Sequence, residues 1–393
     1  MGQGGKQLVV FDWGVSSFYG WGIYGLNLML SWLPRQDFQA VSAAQINPAD
    51  IVLGPVEWAV IKPLIEASRS LVEGRSTNQK LPTMVLRYIG NDIEGRETDP
   101  ILGDPTIGVV FSESTSFSAL GRERAKRYPL LISGSRWNSE VLTTKGFGPV
   151  TTVMQGVDTS HFHPAPKSSL FRDRFIVFSG GKLEKRKGQD LVIEAFRIFA
   201  ERHSDAVLLT TWGSPWPYLA TSLSENPRLA PVKFLSDNSV DIAGWTGGNG
   251  IPTSQVVHLG SVPHIHMAHI LRGADVAVFP NRAEGGTNLV AMECMACGVP
   301  TILSANTGHL DLIDEGNCYP LSRQSPIGGA EHQGWGESDV DEIVDRLEHV
   351  YANREEAARR GARGSEFISQ FTWTRQMGQL AEVLKPYAGS SRQ

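Results

Sequence analysis

Two carboxylates bracket a glycine-rich stretch in Pro280-Asn281-Arg282-Ala283-Glu284-Gly285-Gly286-Thr287-Asn288-Leu289-Val290-Ala291-Met292-Glu293. Carboxylates only accept hydrogen bonds, so Glu284 and Glu293 suit polyhydroxyl partners such as sugar and ribose. A glycine turn entering a helix can aim the N–H groups of Gly286, Thr287, Asn288 and Leu289 at a phosphate or sugar oxygen, because the first helical turn has no internal partners for them. A glutamate near a helix start also stabilises the macrodipole, which explains either acid alone but not the ensemble.

A second cluster, Gly180-Gly181-Lys182-Leu183-Glu184-Lys185-Arg186-Lys187-Gly188, follows an apolar run and precedes a helical pattern. A bound dianion at a strand's carboxyl end needs compensating charge, which assigns Lys182 and Lys187 to a diphosphate. Lys185 and Arg186 read as a solvated face, the usual fate of a charge run. A third signal, Gly20-Trp21-Gly22-Ile23-Tyr24-Gly25, is a literal G-x-G-x-x-G. A dinucleotide fingerprint wants these glycines directly after the first strand and an acid about 20 residues on. Here Asp12 to Tyr19 intervene, and Gln39 to Ala44 contain no acid. Gly20 and Gly22 are therefore read either as amides facing a phosphate or acceptor or as glycines for a tight turn. An NAD-dependent oxidoreductase is the lesser alternative.

These residues need elements to hold them. Short β-rich apolar runs alternate with helical patterns throughout, the signature of parallel sheets covered by helices. Strands are expected at Leu8 to Phe11, Ile51 to Leu53, Met84 to Leu86, Gly108 to Phe111, Leu130 to Ile132 and Val150 to Val153. In the second half they fall at Phe175 to Phe178, Val207 to Thr210, Val256 to Leu259, Val276 to Phe279 and Thr301 to Leu303. Pro164, Pro166 and Ser168-Ser169 interrupt periodicity, placing a hinge at Asp158 to Arg172. Thr372 is a candidate N-cap for a last helix that Pro386 stops. Two Rossmann-like blocks direct the carboxyl ends of their sheets, and hence the motifs, toward an interdomain crevice.

The 393 residues, 41% hydrophobic and 20% charged, fit two globular domains. A net charge of -5 offers nucleic acid no overall attraction. The chain shows no apolar span long enough for a bilayer and no export signal in Met1-Gly2-Gln3-Gly4-Gly5-Lys6. Three cysteines fit a reducing compartment, so the cytoplasm is expected. Cys294 and Cys297 form a C-x-x-C inside an apolar helical pattern, without a second pair to complete a metal site. His264, His266 and His269 lack the spacing of a known metal pair and read as part of an ordinary helix. Arg122, Arg124, Lys126 and Arg127 offer either a solvated helix or a peripheral contact with an anionic membrane.

The second half resembles the retaining GT-B glycosyltransferases of the GT4 group (glycosyl transferases group 1). Their pattern runs R-L-x-x-x-K-G and then E-G-x-G-L-P-x-x-E-A-M-A-C-G-x-P. This chain carries Lys182-Leu183, Lys187-Gly188, Glu284-Gly285 and the run from Glu293 to Pro300. Gln155-Gly156-Val157-Asp158-Thr159 with Phe162 and Pro164 resembles the family's linker, and Phe371-Thr372-Trp373 its closing segment.

The resemblance implies an α/β, GT-B architecture. An acceptor-binding domain would span 1–165, a nucleotide-sugar domain 166–371, and a C-terminal helix and tail returning to the first domain 372–393. It implies that Lys182 and Lys187 bind the diphosphate of a UDP- or GDP-sugar and that Glu293 holds the ribose hydroxyls. Glu284, the acid assigned to the reaction centre, would hold the transferred sugar with the amides of Gly285, Gly286, Thr287, Asn288 and Leu289. The activity implied is metal-independent, retaining transfer of a hexose-type sugar to a hydroxyl acceptor such as a glycan, glycolipid or small molecule. A non-catalytic sugar-nucleotide-binding protein is the alternative. Three departures stand out. Eight residues separate the glutamates instead of the family's seven, Lys182 replaces Arg, and Phe111-Ser112-Glu113-Ser114-Thr115 has no His where relatives often place one.

Overall fold

A computed structural model describes residues 6–96, 98–167, 171 and 173–388. The expected hinge lies partly outside them, at Ser168, Ser169, Leu170 and Arg172, as do Met1 to Gly5 and the tail beyond 388. The chain divides into two units, described separately below. One holds the residues up to Gly156, Pro263–Ile265 and the segment from Phe371; the other holds Val157–Val262 and His266–Gln370.

The first unit contains β1 (Gln7–Phe11), α1 (Gly20–Trp32), β2 (Phe38–Ser42), α2 (Pro55–Gly74), β3 (Met84–Ile89), β4 (Thr106–Val110), α3 (Ala119–Ala125), β5 (Leu131–Ser133), α4 (Arg136–Thr144) and β6 (Val150–Thr152). Its strands form one parallel sheet ordered β2-β1-β3-β4-β5-β6, with Val10 opposite both Val41 and Val85. Strands buried on both faces read as continuous apolar runs, as Val9, Val10 and Phe11 do.

The strand expected at Ile51 to Leu53 does not form. Residues 51–54 run without regular structure between a 3-10 turn at Pro48–Asp50 and α2. Their polar groups are met by the loop after β1: Ser17 N donates to the Asp50 carbonyl, and Val52 N donates to Ser17 Oγ. The place beside β1 goes to β2, whose Gln39 breaks the apolar run that would have revealed it.

The second unit contains β7 (Phe175–Gly180), α5 (Gln189–Arg202), β8 (Ala206–Thr211), α6 (Ile242–Gly248), β9 (Val256–His258), α7 (His264–Leu271) from His266 onward, β10 (Val276–Phe279), α8 (Leu289–Ala296), β11 (Thr301–Ser304), β12 (Tyr319–Leu321), β13 (Gln324–Pro326), β14 (Gly336–Ser338), α9 (Val340–Ala352) and α10 (Arg354–Ile368). A parallel sheet ordered β12-β11-β10-β7-β8-β9 is accompanied by the antiparallel β13–β14 hairpin. β12 escaped the sequence reading because Pro320 interrupts it, a residue that a sheet tolerates at its edge. The core packs Phe175, Phe196, Phe199 and Trp212 with Leu208 and Val278, all buried. Fully burying one such side chain contributes about 1.5–3 kcal/mol.

The last helix, α11 (Trp373–Leu384), belongs to the first unit. Thr372 caps it, its hydroxyl accepting from Arg375 N. It packs on α1, where the Trp32 indole N–H donates to the Met377 carbonyl at 2.9 Å and Trp373 lies 5.7 Å from the Tyr24 ring.

Candidate functional site

In the second unit the chain progresses from β7 through β8 to β9 in one direction, then returns to β10 and moves through β11 to β12 in the other. The reversal falls between the adjacent strands β7 and β10. Loops leaving the carboxyl ends of such a pair diverge and open a crevice where α/β sheets bind ligands. The loop after β7 carries Lys182 to Lys187, and the loop after β10 carries Asn281 to Asn288. Topology thus joins the two sequence clusters.

The join is ionic. Lys187 Nζ lies 2.5 Å from Glu284 Oε1, and Arg186 Nη1 lies 3.0 Å from Glu284 Oε2. Asn281 also donates to Glu284 Oε1, and Glu284 N donates to Thr307 Oγ1 at 2.8 Å. Burial pushes the Glu284 carboxyl up, but Lys187 and Arg186 outweigh it and hold the group at about 2. Burial lowers Lys187 against the opposing pull of Glu284. Arg186, read from sequence as a solvated side chain, is mostly buried and reaches Glu284, the Ala283 carbonyl and Glu184. Lys185 pairs with Glu225 at 2.6 Å. Lys182 is the most open of the three cations nearest the crevice, paired with Glu184 at 2.9 Å and 5.7 Å from the Trp216 ring centre.

Close backbone approaches set these loops. Gly188 has φ +71° as it caps α5, and a Cβ there would stand 2.3 Å from the Pro280 carbonyl oxygen. Gly308 N donates to the Glu284 carbonyl, and a Cβ on Gly308 would meet the Gly286 carbonyl oxygen. Gly285, Gly286, Thr287 and Leu289 are buried, with the Thr287 hydroxyl 3.0 Å from Met292 Sδ. Asn288, at φ +66°, caps α8 through Ala291 N. Glu293 lies buried on the second turn of α8.

Sequence reading missed the groups that brace this arrangement. The buried Arg282 guanidinium grips Asp190 with two bonds of 2.7 Å, donates to the Lys185 carbonyl at 2.7 Å and pairs with Glu337 of β14. His309 is fully buried; Asn288 Nδ2 faces its Nε2 at 3.1 Å and Ser304 Oγ its Nδ1 at 2.9 Å. Because Ser304 Oγ already donates to the Asn281 carbonyl, it accepts from Nδ1–H, which makes His309 the neutral Nδ1–H tautomer. Burial drives its pKa down to about 4. The only sequence signals for these groups were Arg282 beside Glu284 and Asp190 just after Gly188.

In the first unit, Gly20 to Gly25 all lie within α1 instead of forming a strand-to-helix turn. Gly20 is exposed. Gly22 is buried where a Cβ would stand 2.6 Å from Ser16 Cβ. At the carboxyl end of β1, Asp12 Oδ1 accepts from Tyr88 N, while Oδ2 is 3.8 Å from Arg87 Nε. Glu113 N donates to Asn91, and Ser118 caps α3. Of the basic cluster, Arg124 pairs with Asp92 and Glu94, and Lys126 with Glu123. His264, His266 and His269 lie on α7, and Cys294 and Cys297 are buried at α8. Among the described residues no helix is long and apolar enough to cross a membrane.

Residues 173–352 match the family model described as glycosyl transferases group 1. The GDP-mannose-dependent alpha-(1-6)-phosphatidylinositol monomannoside mannosyltransferase of Mycolicibacterium smegmatis is 27% identical over 255 residues, 61% of this chain and 57% of that protein. The D-inositol 3-phosphate glycosyltransferase of Thermobispora bispora is 27% identical over 244 residues, 60% of this chain and 50% of that protein. The chain thus spans about half the length of these curated relatives. Among solved structures, sucrose-phosphate synthase from Thermosynechococcus elongatus superposes with a TM-score of 0.64 at 17% identity, covering 97% of this chain and 99% of that one. Anabaena Alr3699/HepE in complex with UDP-glucose gives 0.62 at 14% identity over 96% and 99%. These neighbours show the GT-B fold.

Proposed function

We propose that this chain, which belongs to the glycosyl transferases group 1 family through residues 173–352, transfers a hexose-type sugar from a nucleoside-diphosphate sugar to a hydroxyl acceptor. The observation that carries the reading is the cation cluster at the β7/β10 reversal, closed by a carboxylate from the neighbouring loop. Lys182 and Lys187, joined by Arg186, receive the diphosphate; Glu293 on α8 takes the ribose hydroxyls. Glu284 and the amides of Gly285 to Leu289 take the transferred sugar. Gly20 and Gly22, at the start of α1, keep both readings, as groups facing the phosphate or acceptor and as glycines required by close packing, the latter supported for Gly22 by the approach of Ser16.

In a retaining front-face step the acceptor oxygen bonds to the anomeric carbon as its bond to the diphosphate breaks. The acceptor proton passes to a diphosphate oxygen. Fixed cations stabilise the charge that develops on the leaving group, so the reading requires no metal. The relatives' names include GDP-mannose and phosphatidylinositol mannosides and a structural neighbour holds UDP-glucose, which favours a GDP- or UDP-sugar and acceptors including lipid-linked inositol glycans. We place the reaction in the cytoplasm, where the buried thiols of Cys294, Cys297 and Cys318 stay reduced.

A thermal-shift panel of UDP, GDP, ADP and NAD on wild type and Glu293→Ala tests the reading, since selective binding raises stability by mass action. One nucleoside diphosphate is expected to stabilise the wild type and not the variant. Stabilisation by NAD alone would replace this reading with the oxidoreductase one. Binding of a nucleoside diphosphate, with neither hydrolysis of the matching nucleoside-diphosphate sugar nor transfer from it, would indicate a non-catalytic binding protein.

A further inference from the structure

We infer that Glu184 is a built-in counter-anion that occupies the diphosphate cations when no sugar donor is bound and competes with the donor for them. The inference rests on the diphosphate assignment above and adds a residue that this assignment does not contain.

Its basis is a charge count. The cations facing the crevice are Lys182, Arg186 and Lys187. Lys185 is engaged by Glu225, and Arg282 by Asp190 and Glu337. Against these three stand two carboxylates: Glu284, held by Lys187, Arg186 and Asn281, and Glu184, whose Oε1 takes Arg186 at 2.6 Å and whose Oε2 takes Lys182 at 2.9 Å. The cluster is left with a single excess positive charge, poorly matched to the two negative charges of a sugar-nucleotide diphosphate. If Glu184 withdraws, the excess becomes two.

The geometry allows that withdrawal. Glu184 has an extended backbone, and its N–H is held by Gln189 Oε1, so the main chain can stay in place while the side chain turns away. Burial alone would raise the Glu184 carboxyl, yet Arg186, Lys182 and Lys187 keep it below its ordinary range, so it is a full anion at neutral pH. Glu284 is the deeper of the two, with 7% of its side chain exposed against 13% for Glu184. Glu184 also shares Lys182, the most accessible cation at 30% exposure. It is therefore the carboxylate an incoming diphosphate meets first. A diphosphate carries more charge and more acceptor oxygens than one carboxylate and wins the exchange, at the expense of affinity.

The test is isothermal titration of UDP, GDP, ADP and inorganic pyrophosphate into wild type, Glu184→Gln and Glu184→Asp, with the melting temperature of each ligand-free protein. Glutamine keeps the shape and an acceptor for Arg186 but removes the competing charge. Affinity for the nucleoside diphosphate that binds the wild type, and for pyrophosphate, should rise about three- to tenfold in Glu184→Gln, the scale of one partly exposed ion pair. The ligand-free melting temperature should stay level or fall, because two cations lose a partner. These opposite directions separate competition from a merely structural role, which lowers both. The shorter Glu184→Asp, drawn back from Lys182, should fall between. Unchanged or weaker binding by Glu184→Gln, with intact binding by wild type, overturns the inference and leaves the diphosphate assignment standing. Failure of every protein to bind any of the four ligands removes that assignment and this inference together.

Discussion

Replacing Arg282 by Met removes the brace between the two loops of the site, and the cost follows from what is left behind. Asp190 is 1% exposed at its side chain and, among the described residues, would keep only Asn226 Nδ2, at 3.0 Å, as a polar partner. Leaving a buried charge uncompensated costs about 3–5 kcal/mol. The lost bond to the Lys185 carbonyl adds about 0.5–1.5 kcal/mol. Glu337, 36% exposed, rehydrates at a cost of roughly 0–1 kcal/mol. The sum, about 3.5–7.5 kcal/mol, is a large share of the ~5–15 kcal/mol that folded proteins hold. At roughly 2–4 °C per kcal/mol for a unit of this size, melting should fall by roughly 7–30 °C.

Urea unfolding of wild type, Arg282→Met, Asp190→Leu and the double variant measures the coupling directly. The double variant should recover most of the loss, since a buried ion pair exchanged for apolar groups is often close to neutral. A single Arg282→Met variant within about 1 kcal/mol of wild type, or a double variant whose losses simply add, would refute the reasoning.

Two pH effects follow from buried groups of opposite sign. Burial raises Asp12 from near 3.8 to about 7 despite the Tyr88 amide, Arg87 and Arg96. The first unit therefore has its full Asp12 contribution below about pH 4 and loses it as pH rises to about 7. Asp12→Asn should flatten that slope, at most ~1.4 kcal/mol per pH unit, and melt above wild type near pH 8, as differential scanning across pH would read. His309 behaves in reverse. Its pKa falls from 6.5 to about 4 through burial and through Lys187 and Arg186, against Glu284, so the unfolded chain takes up the proton first. Stability should drop as pH falls from about 6.5 toward about 4, and His309→Asn should lack that component in the same scan.

Chemistry was legible where it is written as local pattern. The continuous run Phe175-Ile176-Val177-Phe178 suited a strand buried on both faces, as β7 is, and the Thr372 cap followed from its place before an apolar helical period. Patterns that depend on neighbours were not legible. β2 hid behind Gln39 and β12 behind Pro320, and the polar β13–β14 hairpin carries no periodic signal at all. Ile51 to Leu53 had a strand's composition, yet the Ser17 hydroxyl claimed the backbone N–H and carbonyl of Val52. Arg186 looked solvated because its partner lies 98 residues further along the chain.

By itself the sequence determined the alternation of elements and placed a cation-rich turn and a carboxylate-flanked glycine turn at strand ends, because periodicity and turn chemistry act over a few residues. Only the tertiary structure decided that β7 and β10 are neighbours. That pairing brings Lys187 and Arg186 onto Glu284, sets Arg282 between Asp190 and Glu337, and buries His309 as a neutral ring. Charge pairing and burial act through space, and the sheet order that brings these groups together is a property of the whole unit.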